Sequence, residues 1–252
     1  MEPGVYGGRP PRSHVAGVRR THRIDPRDEP ESLIRRSIRT FGELLITVGL
    51  VVLLFAGYEV YGKAYQVNAD QDRLNSQLDQ QWAAQAPPAE TGTPSKAAAV
   101  DPLPGEGVAR LYIPKLGKKW VVVQGVTQAD IKLAPGHYPD SEMPGQVGNF
   151  AVAGHRMPSI FWDLDKLQAG DTIVVETQTD WFVYAVTKNF ITKPTNVSVV
   201  SANPQEPGQK PTEKLLTLTT CNPKWDNYER MIVWAEQTKT QPHSAGTPAE
   251  VQ

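Results

Sequence analysis

The sequence contains a single cysteine, Cys221, among 252 residues. One cysteine excludes an internal disulfide framework and a zinc site built from several thiolates. The formal net charge is only −1, so no excess of one sign indicates a nucleic-acid partner. The thiol is therefore an inert packed side chain, a redox site or a nucleophile.

The low net charge results from two unlike parts of the chain. Residues 1–40 contain nine Arg and five acidic residues, for a local charge of +4, whereas residues 62–252 carry a charge of −3. The first segment is rich in Gly, Pro and Arg and has little apolar surface to bury. We expect residues 1–40 to form a basic, disordered cytoplasmic tail.

One long stretch lacks charge, from Leu44 to Tyr58. Extended to residues 41–61, it reaches the roughly 20 residues that a transmembrane helix needs. A buried core helix is disfavoured because every face is apolar, and a cleaved signal peptide because the polar leader is far too long. The sequence therefore predicts a retained, single-pass membrane anchor.

The charges beside this span predict its orientation. Arg35, Arg36 and Arg39 precede it, while Lys63 alone follows it closely. Because cytoplasmic flanks are enriched in Lys and Arg, we expect a cytoplasmic N-terminus and an extracellular domain.

Residues 62–107 have the character of a stalk and a linker. Val67, Leu74, Leu78 and Trp82 recur at helical spacing, which predicts a helix that either extends the membrane helix or docks on the next domain. From 86 the chain is rich in Pro and Ala and is expected to be an extended linker.

Residues 108–237 are expected to fold as one mainly β domain. Short β-rich runs separated by Gly, Pro and Asn favour a barrel or a sandwich. Short helices are expected at 127–133 and 160–167, and residues 238–252 as a disordered tail. The predicted strands are 108–113, 120–124, 148–153, 172–177, 181–190, 215–220 and 229–236.

Three polar residues are expected at one end of this domain. Alternation places Leu216 and Leu218 toward the core and Cys221 on the opposite face, at the end of its strand. A strand ending in His155 presents a second candidate. Antiparallel pairing of the strand that follows the cysteine brings Arg230 to the same end. Joint proximity of Cys, His and Arg indicates nucleophilic catalysis more strongly than any one of them.

These residues resemble sortases, the membrane-anchored cysteine transpeptidases of Gram-positive bacteria. Thr-Leu-Thr-Thr-Cys at 217–221 and Ala-Gly-His at 153–155 match the family's motifs. Pro-Gly-His-Tyr-Pro at 135–139 and Gly-His-Arg at 154–156 are most similar to class E of the actinobacteria. The resemblance implies an eight-stranded β-barrel. Because only seven strands are predicted above, the eighth is expected near Gln146 or in 193–200.

The resemblance also implies an activity and its partners. Cys221 would cleave the Thr–Gly bond of a C-terminal sorting signal, LAxTG or LPxTG-like, on an exported protein. The thioacyl-enzyme would pass the protein to a stem-peptide amine of lipid II. His155 would transfer protons and Arg230 would bind substrate carbonyl and oxyanion, since it stays protonated. Whether Cys and His rest neutral or as an ion pair stays open.

Three further residues are assigned to substrate binding. Thr220 and Thr219 precede the cysteine, and Tyr112 is expected to select the second signal position through its hydroxyl. His137, in a Pro-Gly loop without strand support, is expected to be structural or to lie at the rim of the groove. We predict no metal and no cofactor, because the acids at 163, 165 and 171 do not follow the spacing of a calcium loop.

Two other functions remain open at this point. A pilin-polymerising sortase normally carries a second hydrophobic segment near its C-terminus, and the polar tail here disfavours it. A membrane-tethered binding domain without catalysis is the alternative from another class.

Overall fold

The computed structural model describes residues 33–85 and 102–251. The chain divides into two compact units, with the boundary between Leu54 and Phe55. Residues 1–32 and 86–101 lie outside the described part, and with them most of the expected basic tail and of the Pro/Ala-rich linker.

The first helix, α1, spans Leu33–Gly57. It is the one helix in the described ranges that is long and apolar enough to cross a membrane, with a mean hydropathy of 2.1. The helix begins earlier than the expected span of 41–61 and includes residues that we assigned to the disordered tail. An Arg39–Glu43 ion pair and hydroxyl bonds from Ser37 and Thr40 to preceding carbonyls support its polar first turns.

A π-helical turn at Tyr58–Gly62 precedes α2, Lys63–Gln85. The helical stripe expected here is confirmed: Val67, Leu74 and Leu78 are buried. Leu74 and Leu78 pack against Val121 and Val123 of the second strand, so the helix docks on the domain. The docking alternative is therefore observed, and the segment also follows α1 through the π-helical turn without a break.

Eight strands form the domain: β1 Gly107–Ile113, β2 Lys118–Gln124, β3 Gly136–His137, β4 Gly148–Ala153, β5 Thr172–Glu176, β6 Asp180–Thr192, β7 Lys214–Asn222 and β8 Glu229–Pro242. They close into a barrel in the order β1-β2-β3-β4-β7-β8-β6-β5. The pairs β2–β3 and β4–β7 are parallel and the others antiparallel.

Alternate residues of each strand fill the barrel, as a period of two requires. Phe150 and Val152 of β4 and Leu216 and Leu218 of β7 belong to the central core, which confirms their expected orientation. The opposite faces of these strands are thereby left for polar residues.

The eighth strand is not where the sequence suggested. It is β3, the two residues Gly136 and His137, and neither Gln146 nor 193–200 supplies a barrel strand. The backbone carbonyl of Gly125 lies so close to Gly136 that any Cβ there would overlap it, 2.0 Å away. A glycine in such a short run gives no strand signal, because β propensity depends on side chains that pack.

The C-terminal region also differs from the expected disordered tail. β8 continues to Pro242, where it pairs with Asp180, and single 3₁₀ turns follow at His243–Ala245 and Ala249–Val251. Residues 238–242 are polar and give no strand pattern of their own. They form a strand because β6 is long enough to pair with them.

The two expected short helices are reduced to single 3₁₀ turns. Asp130–Lys132 replaces the helix expected at 127–133, and Leu164–Lys166 replaces that at 160–167. The carbonyl of Ser159, which precedes the second of these turns, accepts a hydrogen bond from Trp120 Nε1 at 2.8 Å.

Candidate active site

Cys221 is the penultimate residue of β7 and lies on its outer face. Leu218 and Thr220, on either side of the outward Thr219, point into the barrel and are buried. The thiol is free and partly exposed. The strand therefore holds a reactive side chain at its end, where solvent and a substrate reach it.

Arg230 is the direct cross-strand partner of Cys221 in the β7–β8 ladder. Directly opposed residues of an antiparallel pair project to the same face, with Cβ atoms about 5 Å apart. This confirms the expected placement of Arg230 at the cysteine end.

The guanidinium of Arg230 is held by its own loop. Its Nη1 donates to the carbonyls of Asn227 at 2.7 Å and Glu229 at 2.8 Å. Among residues 33–85 and 102–251 no ion pair joins it to a carboxylate, and its Nη2 and Nε make no hydrogen bond there. Two N–H edges of a permanent cation are therefore available to an incoming oxygen.

His155 reaches the same end of the barrel from β4. The parallel β4–β7 ladder ends at the pair Ala153 and Thr219, and His155 and Cys221 each lie two residues beyond it. The imidazole makes no hydrogen bond to other described residues. Burial lowers the pKa of His155 below its ordinary value. The ring is therefore predominantly neutral near pH 7 and free to exchange a proton.

The topology explains this convergence. β7 lies between β4, which is parallel to it, and β8, which is antiparallel. The end of β4, the end of β7 and the start of β8 therefore meet at one rim of the barrel. Residues far apart in sequence become neighbours there without any special loop geometry.

Thr220 and Thr219 occupy different environments. Thr220 faces inward, and its hydroxyl donates to the carbonyl of Gly154 at 2.8 Å. That contact ties β7 to the residue before His155, so the hydroxyl is not directed at a substrate. Thr219 lies on the outer face with Cys221, and its hydroxyl is 3.4 Å from that of Tyr138.

Tyr112 lies on the side of the barrel opposite Cys221, which argues against its expected role in substrate selection. β1 and β7 are four strands apart in either direction around the barrel. The Tyr112 hydroxyl donates to Glu176 at 2.6 Å, and its ring packs on Trp181. Burial, reinforced by Glu176, raises the pKa of Tyr112. The residue belongs to a polar cluster on the outside of the barrel.

His137 is a structural residue, although it has the strand support that we did not expect. It is 1% exposed and stacks on Phe150, with ring centroids 5.0 Å apart. Nδ1 lies 2.7 Å from Gln124 Oε1, and Nε2 lies 3.0 Å from Ser141 Oγ. Burial lowers the pKa of this ring.

Two residues of the site were missed from the sequence, Tyr138 and Arg156. Tyr138 contacts Thr219, and Arg156 Nη1 donates to the carbonyl of Cys221 at 3.3 Å. Their positions directly after His137 and His155 are a weak signal, since sequence does not show which loop meets which strand.

The acids considered for calcium have basic partners. Asp163 pairs with Lys166 at 3.2 Å, and Asp165 with Lys224 at 3.3 Å. Asp171 pairs with Lys115 at 2.7 Å. Among the described residues no group of three or more His, Cys, Asp or Glu is arranged to hold a metal ion.

Comparison with known proteins agrees with this geometry. A family model described as Sortase domain matches residues 111–238. Sortase SrtE2 of Streptomyces coelicolor is 31% identical over 228 residues, which cover 85% of this chain and 87% of that protein. The chain belongs to the sortase family.

A second relative supports class E within the sortases. Sortase SrtE1 of S. coelicolor is 35% identical over 220 residues, covering 83% of this chain. The match spans only 60% of SrtE1, so this sortase corresponds to a part of that longer relative.

Solved sortase structures share the fold. SrtF from Corynebacterium diphtheriae is 36% identical, with a TM-score of 0.57, over 64% of this chain and 98% of that one. Sortase E1 of S. coelicolor, solved with a tripeptide in its active site, is 37% identical with a TM-score of 0.56, over 60% and 99%. The eight-stranded barrel is therefore the sortase barrel.

Proposed function

We propose that this sortase is a membrane-anchored cysteine transpeptidase acting on exported proteins with a C-terminal sorting signal. It cleaves the Thr–Gly bond of an LAxTG or LPxTG-like signal and transfers the protein to the amine of a cell-wall precursor such as lipid II. The observation that carries the proposal is the direct opposition of Cys221 and Arg230, with His155 at the end of the adjacent parallel strand.

In the first step, the Cys221 sulfur attacks the carbonyl carbon of the signal's Thr. The carbonyl oxygen becomes an oxyanion, which accepts hydrogen bonds from the unoccupied N–H groups of Arg230. The C–N bond then breaks, and the departing Gly nitrogen takes a proton through His155. The products are a thioester on Cys221 and a free Gly-terminal peptide.

In the second step, an amine attacks the thioester carbonyl. His155 takes the proton from the incoming nitrogen and passes it to the Cys221 sulfur as the C–S bond breaks, which regenerates the thiol and the neutral imidazole. One peptide bond has been broken and one formed, so no oxidant, reductant or external energy source is required.

The environment of His155 bears on the resting state. Burial lowers its pKa, which favours the neutral imidazole over the charged partner of an ion pair. A neutral pair of thiol and imidazole is therefore the predominant resting form in our proposal. The thiolate forms when the proton moves to His155 during attack.

The arrangement of the chain is consistent with action outside the membrane. α1 is a candidate span, and Arg35, Arg36 and Arg39 lie at its N-terminal end. By the positive-inside rule the N-terminus is cytoplasmic and the barrel extracellular. Exported proteins that carry a sorting signal meet the enzyme there.

Tyr138 replaces Tyr112 as our candidate for contacting the signal. Its hydroxyl lies beside Thr219, two residues before Cys221 on the same face. A hydroxyl there can bond the backbone N–H that Ala has and Pro lacks, which favours an LAxTG signal. The preference between LAxTG and LPxTG peptides measures this contact.

A transfer assay tests the function. Full-length protein in detergent micelles is mixed with an LAxTG peptide and either a stem-peptide amine or a Lys side chain within a second peptide. We expect transfer to the stem-peptide amine in the wild type and none in Cys221→Ala. Preferred transfer to the peptide Lys would indicate a pilin-polymerising enzyme. Peptide binding without any cleavage would overturn the proposal in favour of a binding domain.

A further inference from the structure

The side chain of Arg156 is buried against the strand that carries the nucleophile. Its Nη1 donates to the carbonyl of Cys221 at 3.3 Å and to the side-chain oxygen of Asn222. Its Nη2 pairs with Asp165 at 3.1 Å, and the side chain is only 3% exposed. Arg156 directly follows His155, so its side chain links the segment that carries the base to the strand that carries the nucleophile.

This contact lies where the regular pairing of the two strands stops. The last backbone hydrogen bond between them, among the described residues, runs from Gly154 N to the carbonyl of Thr219 at 3.0 Å. Beyond it, the hydrogen bonds that link the two segments in the described part of the chain come from side chains, first from Thr220 to Gly154 and then from Arg156 to Cys221. The spacing of His155 and Cys221 therefore depends on side chains rather than on the ladder.

The same contact continues to the third member of the site. Asn222 accepts from Arg156 and donates through Nδ2 to Glu229 Oε2 at 2.8 Å. The carbonyl of Glu229 in turn accepts from Arg230 Nη1. Hydrogen bonds of Arg156, Asn222 and Glu229 thus connect the chain segments that carry the three catalytic groups.

Stability of the barrel is a poor explanation for this arrangement. Arg156 Nε is buried and makes no hydrogen bond, which costs free energy. A buried guanidinium also loses its hydration, and a single partly exposed carboxylate offsets only part of that loss. A packed apolar side chain would stabilise the same place more simply.

We propose that Arg156 is a positioning residue that sets the separation between His155 and Cys221, and that Asn222 extends this control to Arg230. This inference rests on the proposed function. A displacement of about 1 Å between reacting groups lowers turnover by up to about 100-fold. Arg156 acts through the Cys221 carbonyl and contacts no substrate.

Lys224 provides a matched control within the same network. Lys224 lies three residues after Cys221 and pairs with Asp163 at 3.5 Å and with Asp165 at 3.3 Å. It makes no hydrogen bond to the Cys221 carbonyl in the described structure, where that acceptor is bonded by Arg156. Removing Lys224 therefore disturbs the same ion pairs without releasing the nucleophile's backbone.

The test compares Arg156→Gln, Arg156→Lys and Lys224→Gln in the full-length protein in detergent, well below each Tm. We expect Arg156→Gln to lower kcat by about 30- to 100-fold with KM within threefold, because geometry rather than binding is lost. Arg156→Lys should recover part of the rate, and Lys224→Gln should stay within twofold of wild type. Equal losses in Arg156→Gln and Lys224→Gln, or a lower Tm with unchanged kcat, would overturn the proposal.

A second readout does not depend on turnover. Cys221 is the only cysteine, so iodoacetamide reports on it alone. We expect at least threefold slower alkylation in Arg156→Gln and no change in Lys224→Gln; equal rates in all three proteins would contradict the proposal. If wild type alkylates normally but cleaves no peptide, the proposed function fails while the positioning role is still tested. Should Arg156→Gln not fold, Asn222→Ala is used instead, and we expect the same lowered kcat. An unchanged kcat in Asn222→Ala would contradict the role of Asn222 in extending the control to Arg230.

Discussion

Cys221 and Arg230 are opposed residues of adjacent antiparallel strands, and both lie on the outer face of the barrel. The pairing places the Cβ atoms of the nucleophile and of a permanent cation about 5 Å apart. Because β7 is also parallel to β4, the same rim receives His155. The register of β4, β7 and β8 thus brings these three side chains to one rim of the barrel.

Replacing Arg230 should remove the stabilisation of the oxyanion. Arg230→Gln is expected to lower kcat by about 10²- to 10³-fold, the usual cost of losing an oxyanion donor. Peptide cleavage by full-length enzyme measures it. Arg73→Gln, which removes an exposed arginine paired with Asp70 on α2, is the control and should have no effect. A kcat within threefold of wild type in Arg230→Gln would contradict the role of Arg230.

Thr220→Val should affect both stability and turnover. The change keeps the shape of the side chain but leaves the buried carbonyl of Gly154 without its donor, at a cost of about 1–3 kcal/mol. Turnover should fall as well, because Gly154 directly precedes His155. Urea unfolding and peptide cleavage provide the two measurements.

Thr187→Val is the matched control for that experiment. Thr187 also donates to a backbone carbonyl, that of Trp234 at 3.2 Å, but it is exposed and water can replace it. Its loss should cost less than about 0.5 kcal/mol. Equal destabilisation by the two substitutions would show that the Thr220 contact is not special to the site.

Acid should destabilise the fold through its buried histidines. Burial lowers the pKa of both His137 and His155 from the ordinary value of 6.5. The unfolded chain therefore binds more protons below that pH, and the free energy of unfolding falls as pH drops through this window. Urea titrations at pH 7.5 and 5.5 should show the loss, and His137→Gln should reduce the difference. Equal stability at the two pH values would refute this account.

Tyr112→Phe should leave signal selection unchanged. The hydroxyl bonds Glu176 on the far side of the barrel, so its loss lowers Tm without altering the ratio of kcat/KM for LAxTG and LPxTG peptides. Tyr138→Phe should change that ratio, because its hydroxyl lies beside Thr219. A shift of more than fivefold in Tyr112→Phe would restore Tyr112 as a specificity residue.

The sequence was sufficient for elements whose own side chains carry the signal. β4 is found at its predicted bounds because Phe150 and Val152 alternate with small residues and a glycine follows the last of these. The orientation of Cys221 and its pairing with Arg230 followed from the same alternation. Local pattern predicts such features because burial on one face is what stabilises them.

Features that depend on distant partners were not predictable. β3 is a strand only because Gly136 and His137 fit between β2 and β4, and the end of β8 only because β6 extends beside it. The contact of Arg156 with Cys221 joins residues 65 apart. The position of Tyr112 was not predictable either, because the sequence does not show which side of the barrel its strand occupies.

Intact-mass spectrometry can detect covalent catalysis by Cys221. Full-length protein is mixed with an LAxTG peptide, quenched in acid and weighed. We expect an adduct on Cys221 whose added mass is that of the peptide minus that of the released Gly-terminal fragment. This equals the mass of the free peptide acid ending in Thr minus one water. The adduct should disappear when an amine is added and be absent from Cys221→Ala. Cleavage by Cys221→Ala, or peptide bound without any adduct, would contradict it.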